Sequence, residues 1–179
     1  MIIKILIVLA LVVGVILIVA AFQSSTYRVV RTATFGAPPA SVFARTNDLH
    51  SYQTWNPFGK SDPAGTYAYE GPATGVGSIL KWSSKGQTGE GTMTNVESRP
   101  NELVRYRLVF IKPMAGTGDM AFTLQAQGNQ TLVTWSMEGG KVYLAKLMGL
   151  FMSMDKMIGG QFESGLASMK AIAEEAAKK

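Results

Sequence analysis

The sequence predicts an α+β fold: a curved antiparallel sheet of about seven strands around one long C-terminal helix, preceded by one apolar N-terminal helix. Three observations predict it. Residues 153–177 place large apolar side chains at every third or fourth position, as in a helix that buries one stripe. Residues 66–140 alternate between short strand-like segments and turns, and residues 5–22 form an uninterrupted apolar run.

The apolar run at residues 5–22 would extend about 27 Å as a helix, close to the roughly 30 Å of a bilayer hydrocarbon core. A cleaved signal peptide is the alternative, because Val19-Ala20-Ala21 offers small residues for cleavage. The run is longer than the apolar region of about 7–15 residues that is usual in a signal peptide, which favours an uncleaved single-pass anchor. The basic charges flanking the run are balanced, and the short basic head at Lys4 favours an extracytoplasmic domain.

This interpretation divides the chain into an anchor at 1–22, a linker at 23–26 and one domain at 27–179. The first strand is predicted at 27–35, where β-branched residues are frequent. Two short helices are predicted at 40–47 and 49–55, and residues 56–65 are expected to form a loop because they contain two prolines and two glycines.

Six more strands are predicted after this loop, at 66–70, 78–83, 89–98, 102–111, 119–127 and 131–138. Their short, turn-like connections indicate antiparallel pairing. Alternation is clearest where Tyr106, Leu108 and Phe110 would face inward while Arg105 and Arg107 face outward. Residues 141–152 are expected to form a short helix or lid before the long helix at 153–177.

Local residues strengthen this assignment. They are Pro39-Ala-Ser-Val-Phe43, Trp55-Asn-Pro57, Gly75-Val-Gly77 before a strand containing Trp82, and the last-helix segment at 162–170. Together with the element order, they make residues 27–177 resemble the START-like/SRPBCC superfamily, the polyketide cyclase and lipid-transport group. The resemblance implies a helix-grip fold and a hydrophobic ligand, and it supplies no shared catalytic residues.

Composition excludes several other classes. The chain has no cysteine and one histidine, so cysteine-based and histidine-rich metal sites are excluded, and we expect no metal or cofactor. The net charge of +5 is scattered, so nucleic acid is not an expected partner. We interpret His50 as a surface residue of a short helix rather than a general base. The sequence does not predict the oligomeric state, and it nominates no catalytic residue.

Eleven inward-facing apolar residues are the candidate ligand-binding set. Singly they are better interpreted as core residues, but with the helix glycines Gly159, Gly160 and Gly165 they suggest an apolar hollow beside the helix. The set comprises Trp55, Trp82, Met93, Tyr106, Phe110, Phe122, Trp135, Met137, Phe162, Leu166 and Met169.

The leading hypothesis is a membrane-anchored, non-enzymatic binder of a lipid, isoprenoid or polyketide-like compound, with residues 112–116 and 143–152 as candidate lids. One alternative is a cyclase- or hydrolase-type enzyme that uses a cavity carboxylate together with Tyr106. The candidate carboxylates are Glu70, Glu90 and Glu138. The other alternative is a membrane-tethered scaffold with a filled core.

Overall fold

A computed structural model describes residues 1–86, 88–150 and 152–178. Its helices are α1 (Ile2–Ala21), α2 (Pro39–Thr46), α3 (Leu49–Trp55), α4 (Pro57–Ser61), α5 (Tyr143–Met148) and α6 (Met154–Ala176). Its strands are β1 (Thr26–Phe35), β2 (Thr66–Glu70), β3 (Ile79–Ser83), β4 (Glu90–Arg99), β5 (Leu103–Lys112), β6 (Gly116–Gln127) and β7 (Gln130–Gly140). The predicted α+β fold is confirmed.

The seven strands form one antiparallel sheet in the order β1-β7-β6-β5-β4-β3-β2. Alternate residues face α6, so that Phe122 lies opposite Trp135 and Met120 lies opposite Met137 on this inner face. We call the end of the sheet where α1 leads into β1 the proximal end. It includes the ends of β3 and β5, the starts of β4 and β6, and Gly140, which pairs with the first residue of β1.

Helix α6 buries the predicted stripe against the inner face and β1. Phe162, Leu166 and Met169 are at most 2 % exposed. The helix begins after Ser153, whose hydroxyl accepts a hydrogen bond from the Lys156 amide at 3.3 Å and so satisfies one free N–H of the first turn. Met157, an alternative stripe position in the sequence, is 42 % exposed.

The connection at 56–65 differs from the predicted loop, because it contains the short helix α4. Asn56 accepts a hydrogen bond from the Phe58 amide at 3.0 Å, and Pro57 occupies the first helical position. Both features stabilise a helix start, and Gly59 does not prevent one turn from forming. Strand β6 likewise begins at Gly116 rather than at residue 119, since its glycines continue the pairing with β5.

Arg31 joins β1 to α6. Its Nη1 lies 2.7 Å from Asp155 Oδ1, and its Nε lies 2.7 Å from Glu163 Oε1. The guanidinium passes beneath Gly159, where an added Cβ would lie 2.0 Å from Arg31 Nη2. Gly159 therefore allows the ion pairs to cross under the helix, and the hydrogen bond from Arg31 lowers the pKa of Asp155.

This cluster predicts a stability loss in acid. The Asp155 carboxyl has a lower pKa in the folded chain than its unfolded value of about 3.9, so its stabilising contribution is present above pH 4 and is lost as pH falls through the folded pKa. We expect NMR titration of the Asp155 carboxyl to report a midpoint below the unfolded value. The Arg31→Gln variant should raise that midpoint. An equal midpoint in both proteins would contradict the role given to Arg31.

Candidate ligand-binding site

All eleven predicted ligand-binding residues face the space between the sheet and the helices. Nine are buried and come from α3, α6 and the middle of the sheet: Trp55, Met93, Tyr106, Phe122, Trp135, Met137, Phe162, Leu166 and Met169. Trp82 and Phe110 are only half-buried and lie toward the proximal end. The set therefore divides into a distal group and a proximal pair.

The distal group is a packed aromatic cluster. Trp135 and Phe162 stack with ring centroids 4.1 Å apart and an interplanar angle of 7°. Trp55 meets Trp135 edge-on at 5.6 Å, and Phe122 lies 5.1 Å from Trp135. Contacts of this kind belong to a filled interior. The Trp135 indole N–H is buried and has no hydrogen-bond partner among the described residues.

None of the three helix glycines creates the hollow that the sequence suggested. The space beside Gly159 holds the Arg31 guanidinium, and a Cβ on Gly165 would lie 2.6 Å from Trp135 Cζ3. Gly160 is exposed and has no neighbour within 4 Å of an added Cβ. Gly165 therefore lets Trp135 pack closely against α6, which fills the space there.

Tyr106 and Trp55 connect the distal cluster to α2. The Tyr106 hydroxyl donates a hydrogen bond to the Thr46 carbonyl, and Trp55 Nε1 donates to the Arg45 carbonyl at 3.2 Å. Burial raises the pKa of Tyr106, so the phenol stays neutral across the physiological range. The Tyr106 hydroxyl hydrogen is already donated to the Thr46 carbonyl within the fold.

The proximal pair lies where glycines replace larger residues on the inner face of the sheet. Trp82 and Phe110 meet edge-on with centroids 5.9 Å apart. Gly91 lies between them in the sheet, and an added Cβ there would lie 2.3 Å from the Trp82 ring. Only glycine at position 91 therefore lets the Trp82 indole pack against the sheet there.

More glycines share this level of the sheet. Tyr27 covers Gly139, since an added Cβ there would lie 2.9 Å from the Tyr27 hydroxyl. Gly118 pairs with Gly139, and Gly116 pairs with Phe110 on the inner face. A Cβ on Gly116 would meet no atom within 4 Å, so open space begins there. We call this region the proximal mouth. It consists of Tyr27, Trp82, Gly91, Phe110, Gly116, Gly118 and Gly139.

Two surface concavities lie away from the mouth. One of about 440 Å³ is on the outer face of the sheet and is charged; it includes the Arg107–Asp119 ion pair at 2.7 Å. The other, of about 290 Å³, lies beside β2 and the exposed His50, whose ring stacks on Tyr69 at 3.7 Å. The first concavity is lined mainly by charged and polar side chains, and the second combines apolar residues with His50, Glu70 and Ser78.

The carboxylates proposed for an enzyme lie on the outer face of the sheet. Their nearest bases are Lys81 at 2.6 Å from Glu70, Lys112 at 3.1 Å from Glu90, and Arg28 at 4.0 Å from Glu138. None of them meets Tyr106, which faces inward. Within residues 1–86, 88–150 and 152–178, no three histidine or acidic side chains cluster closely enough to hold a metal ion.

Solved structures share this architecture. A protein from Chromobacterium violaceum is 18 % identical, with a TM-score of 0.58 and 85 % of this chain matched to 99 % of that one. The Aha1 dimer from Colwellia psychrerythraea is 19 % identical, with a TM-score of 0.57 and coverages of 83 % and 96 %. Thalictrum norcoclaurine synthase, solved with a transition-state analogue, is 11 % identical, with a TM-score of 0.61 and coverages of 86 % and 99 %. At these identities, the likeness establishes the fold.

No curated protein sequence matches the chain. The family model described as "Polyketide cyclase / dehydrase and lipid transport" matches residues 26–174. That match covers β1 to near the end of α6, which is the whole of the sheet and the helix that it holds. The chain therefore belongs to the polyketide cyclase, dehydrase and lipid-transport family, within the START-like superfamily that its sequence resembles.

Proposed function

We propose that this protein is a membrane-tethered binder of an apolar small molecule, such as a lipid, isoprenoid or polyketide-like compound. The observation that carries the proposal is the proximal mouth, where half-buried Phe110, in edge-on contact with Trp82, pairs with Gly116 at the edge of open space. Apolar, concave surfaces with aromatic walls are the usual form of small-molecule sites. The family description, which includes lipid transport, supports the same class of ligand.

The position of α1 supports delivery from a membrane. This helix has 20 residues and a mean hydropathy of 3.4 in its most apolar window, so it is long and apolar enough to span a bilayer. Residues 22–25 separate it from β1 and can extend over at most about 14 Å. A membrane-spanning α1 would therefore hold the proximal end of the sheet close to the lipid. The positive charge of Lys4, in the first turn of α1, favours an extracytoplasmic domain.

The filled distal half limits how the ligand would sit. Because the Trp135–Phe162 stack occupies the space under α6, the ligand would rest between the mouth and the start of α6, with part of it near the membrane. Met154 and Ile158 are half-buried there and would supply apolar contacts. Each CH₂ group removed from water would contribute about 0.8 kcal/mol to binding.

Filling the mouth should weaken binding strongly. Gly116→Leu places a side chain into open space on the inner face of the sheet. Gly140→Leu is the control, because it adds the same side chain at an equally open position of β7 that faces the outer side. We expect native mass spectrometry of the full chain, released from detergent with added C16 fatty acid or farnesol, to detect one-to-one adducts. They should persist in Gly140→Leu and fall about tenfold or more in Gly116→Leu.

Two results would count against the proposal. One is wild-type protein that stays empty after repeated exchange with these compounds. The other is equal occupancy in the two leucine variants, which would place the ligand outside the mouth. The enzyme alternative has no comparable support, because Glu70, Glu90 and Glu138 do not converge with Tyr106.

A further inference from the structure

Helix α5 and its flanks expose an unusual amount of apolar surface. Five large apolar side chains within eleven residues are each more than two-fifths exposed: Val142, Tyr143, Leu144, Met148 and Met152. Helix α5 has no buried residue, and its principal neighbour is α1. Contiguous apolar surface of this kind marks a site of interaction.

One hydrogen bond places α5 relative to α1. The Tyr143 hydroxyl donates to the Leu17 carbonyl at 2.8 Å. Leu17 precedes the end of α1 by four residues, or about 6 Å along the helix axis. Helices that lie in a membrane interface bury their apolar face by about 5–10 Å, and tyrosine is enriched at that depth. The distance of Leu17 from the end of α1 therefore matches the depth expected of an interfacial helix.

The charges around α5 are basic. Lys141 is held beside the segment that joins α1 to β1, since its amide donates to the Ser25 carbonyl at 2.8 Å. Lys141, Lys146 and Lys156 form no ion pair within the described part of the chain, whereas Asp155 and Glu163 are both engaged by Arg31. An apolar face with unpaired lysines on its border complements the phosphates of anionic lipids.

We propose that α5 lies in the interface of a bilayer containing anionic phospholipid, with Leu144 and Met148 at the acyl boundary and Lys141 and Lys146 against lipid phosphates. This inference rests on the proposed function in one respect, that α1 spans the membrane. It adds a second attachment point, which fixes the domain's tilt and holds the proximal mouth toward the bilayer. If this face instead binds a protein partner, α5 should remain in water when the chain is reconstituted without that partner.

The depth of α5 can be measured directly, because the chain has no cysteine. Single variants Met148→Cys, Val13→Cys and Val76→Cys all change exposed side chains, and each accepts a nitrobenzoxadiazole label. Val13 lies in the middle of α1, and Val76 lies in the turn between β2 and β3 at the distal end of the sheet. The full chain is reconstituted in nanodiscs whose lipids carry bromine near the headgroup or deep in the acyl chain.

We expect shallow bromine to quench about half of the Met148 label, deep bromine to quench the Val13 label more strongly, and neither to affect the Val76 label. A Met148 label that behaves like the Val76 label, while the Val13 label is quenched, overturns the interfacial placement and leaves the anchor intact. An unquenched Val13 label overturns the anchor and, with it, this inference.

Lipid charge supplies the second arm of the test. Anionic phosphatidylglycerol in the nanodisc should increase quenching of the Met148 label, and Lys141→Gln with Lys146→Gln should remove that dependence. Each lysine near an anionic surface is expected to change the ratio of inserted to free α5 by about fivefold. Arg99→Gln, which removes one positive charge at the distal end, is the control and should keep the dependence. If the Met148 label is quenched equally in neutral and anionic nanodiscs when both lysines are present, the anionic preference is overturned.

Discussion

Replacing Phe162 with alanine should destabilise the domain by about 3–5 kcal/mol. Phe162 is fully buried, stacks on Trp135 at 4.1 Å, and meets Phe58 edge-on at a centroid distance of 6.4 Å. Removing the ring takes a large apolar group from the contact between α6 and the sheet, and leaves a cavity that the packed rings around it cannot close. Urea denaturation of the full chain in a mild detergent, followed by tryptophan fluorescence, measures the loss.

Met157→Ala is the matched control, because this side chain belongs to the same helix and is 42 % exposed. Its effect should stay within about 0.5 kcal/mol. If Phe162→Ala does not fold, Phe162→Leu retains part of the volume and should show a smaller loss in the same direction. Equal midpoints for Phe162→Ala and Met157→Ala would mean that α6 does not fill the sheet.

The elements that the sequence predicted well are those with strong local periodicity. The three- and four-residue spacing of Phe162, Leu166 and Met169 reflects one face of a helix, and burial follows from that face alone. Tyr106 and Leu108 alternate with Arg105 and Arg107, which indicates a strand with one buried face. These patterns need no knowledge of distant residues, so a single sequence is enough to predict them.

Local sequence does not predict whether an inward-facing residue fills the core or lines a pocket. Trp135 and Trp82 have the same inward orientation and similar sequence surroundings, yet one is stacked under α6 and the other is half-buried at the mouth. The difference depends on how closely α6 approaches each strand, which is a tertiary distance. The sequence held one unused signal: Gly91 and Gly118 occupy inward positions two residues before Met93 and Met120.

Alanine substitutions at two glycines of α6 should have opposite effects on stability. Gly160→Ala should stabilise the domain by about 1 kcal/mol, since alanine favours helix and the added methyl group meets no atom within 4 Å. Gly165→Ala gains the same helix preference, but its Cβ would lie 2.6 Å from Trp135 Cζ3 and 3.0 Å from Pro57 Cδ. Overpacking of this kind costs about 1–3 kcal/mol, so the net effect should be destabilising. Urea midpoints of the two variants give the comparison.

The pair also tests how deep the candidate ligand site reaches. If the distal half is packed as the Trp135–Phe162 stack indicates, the methyl group at Gly165 must displace the Trp135 ring from its contacts with Phe162 and Phe122, and near-ultraviolet circular dichroism of the tryptophans should change. If both variants gain stability equally, the indole can move aside, and space exists beneath α6. A ligand entering at Gly116 could then extend to the buried Trp135 N–H, which lacks a partner among the described residues. Opposite signs would instead confine an apolar ligand to the proximal half of the sheet.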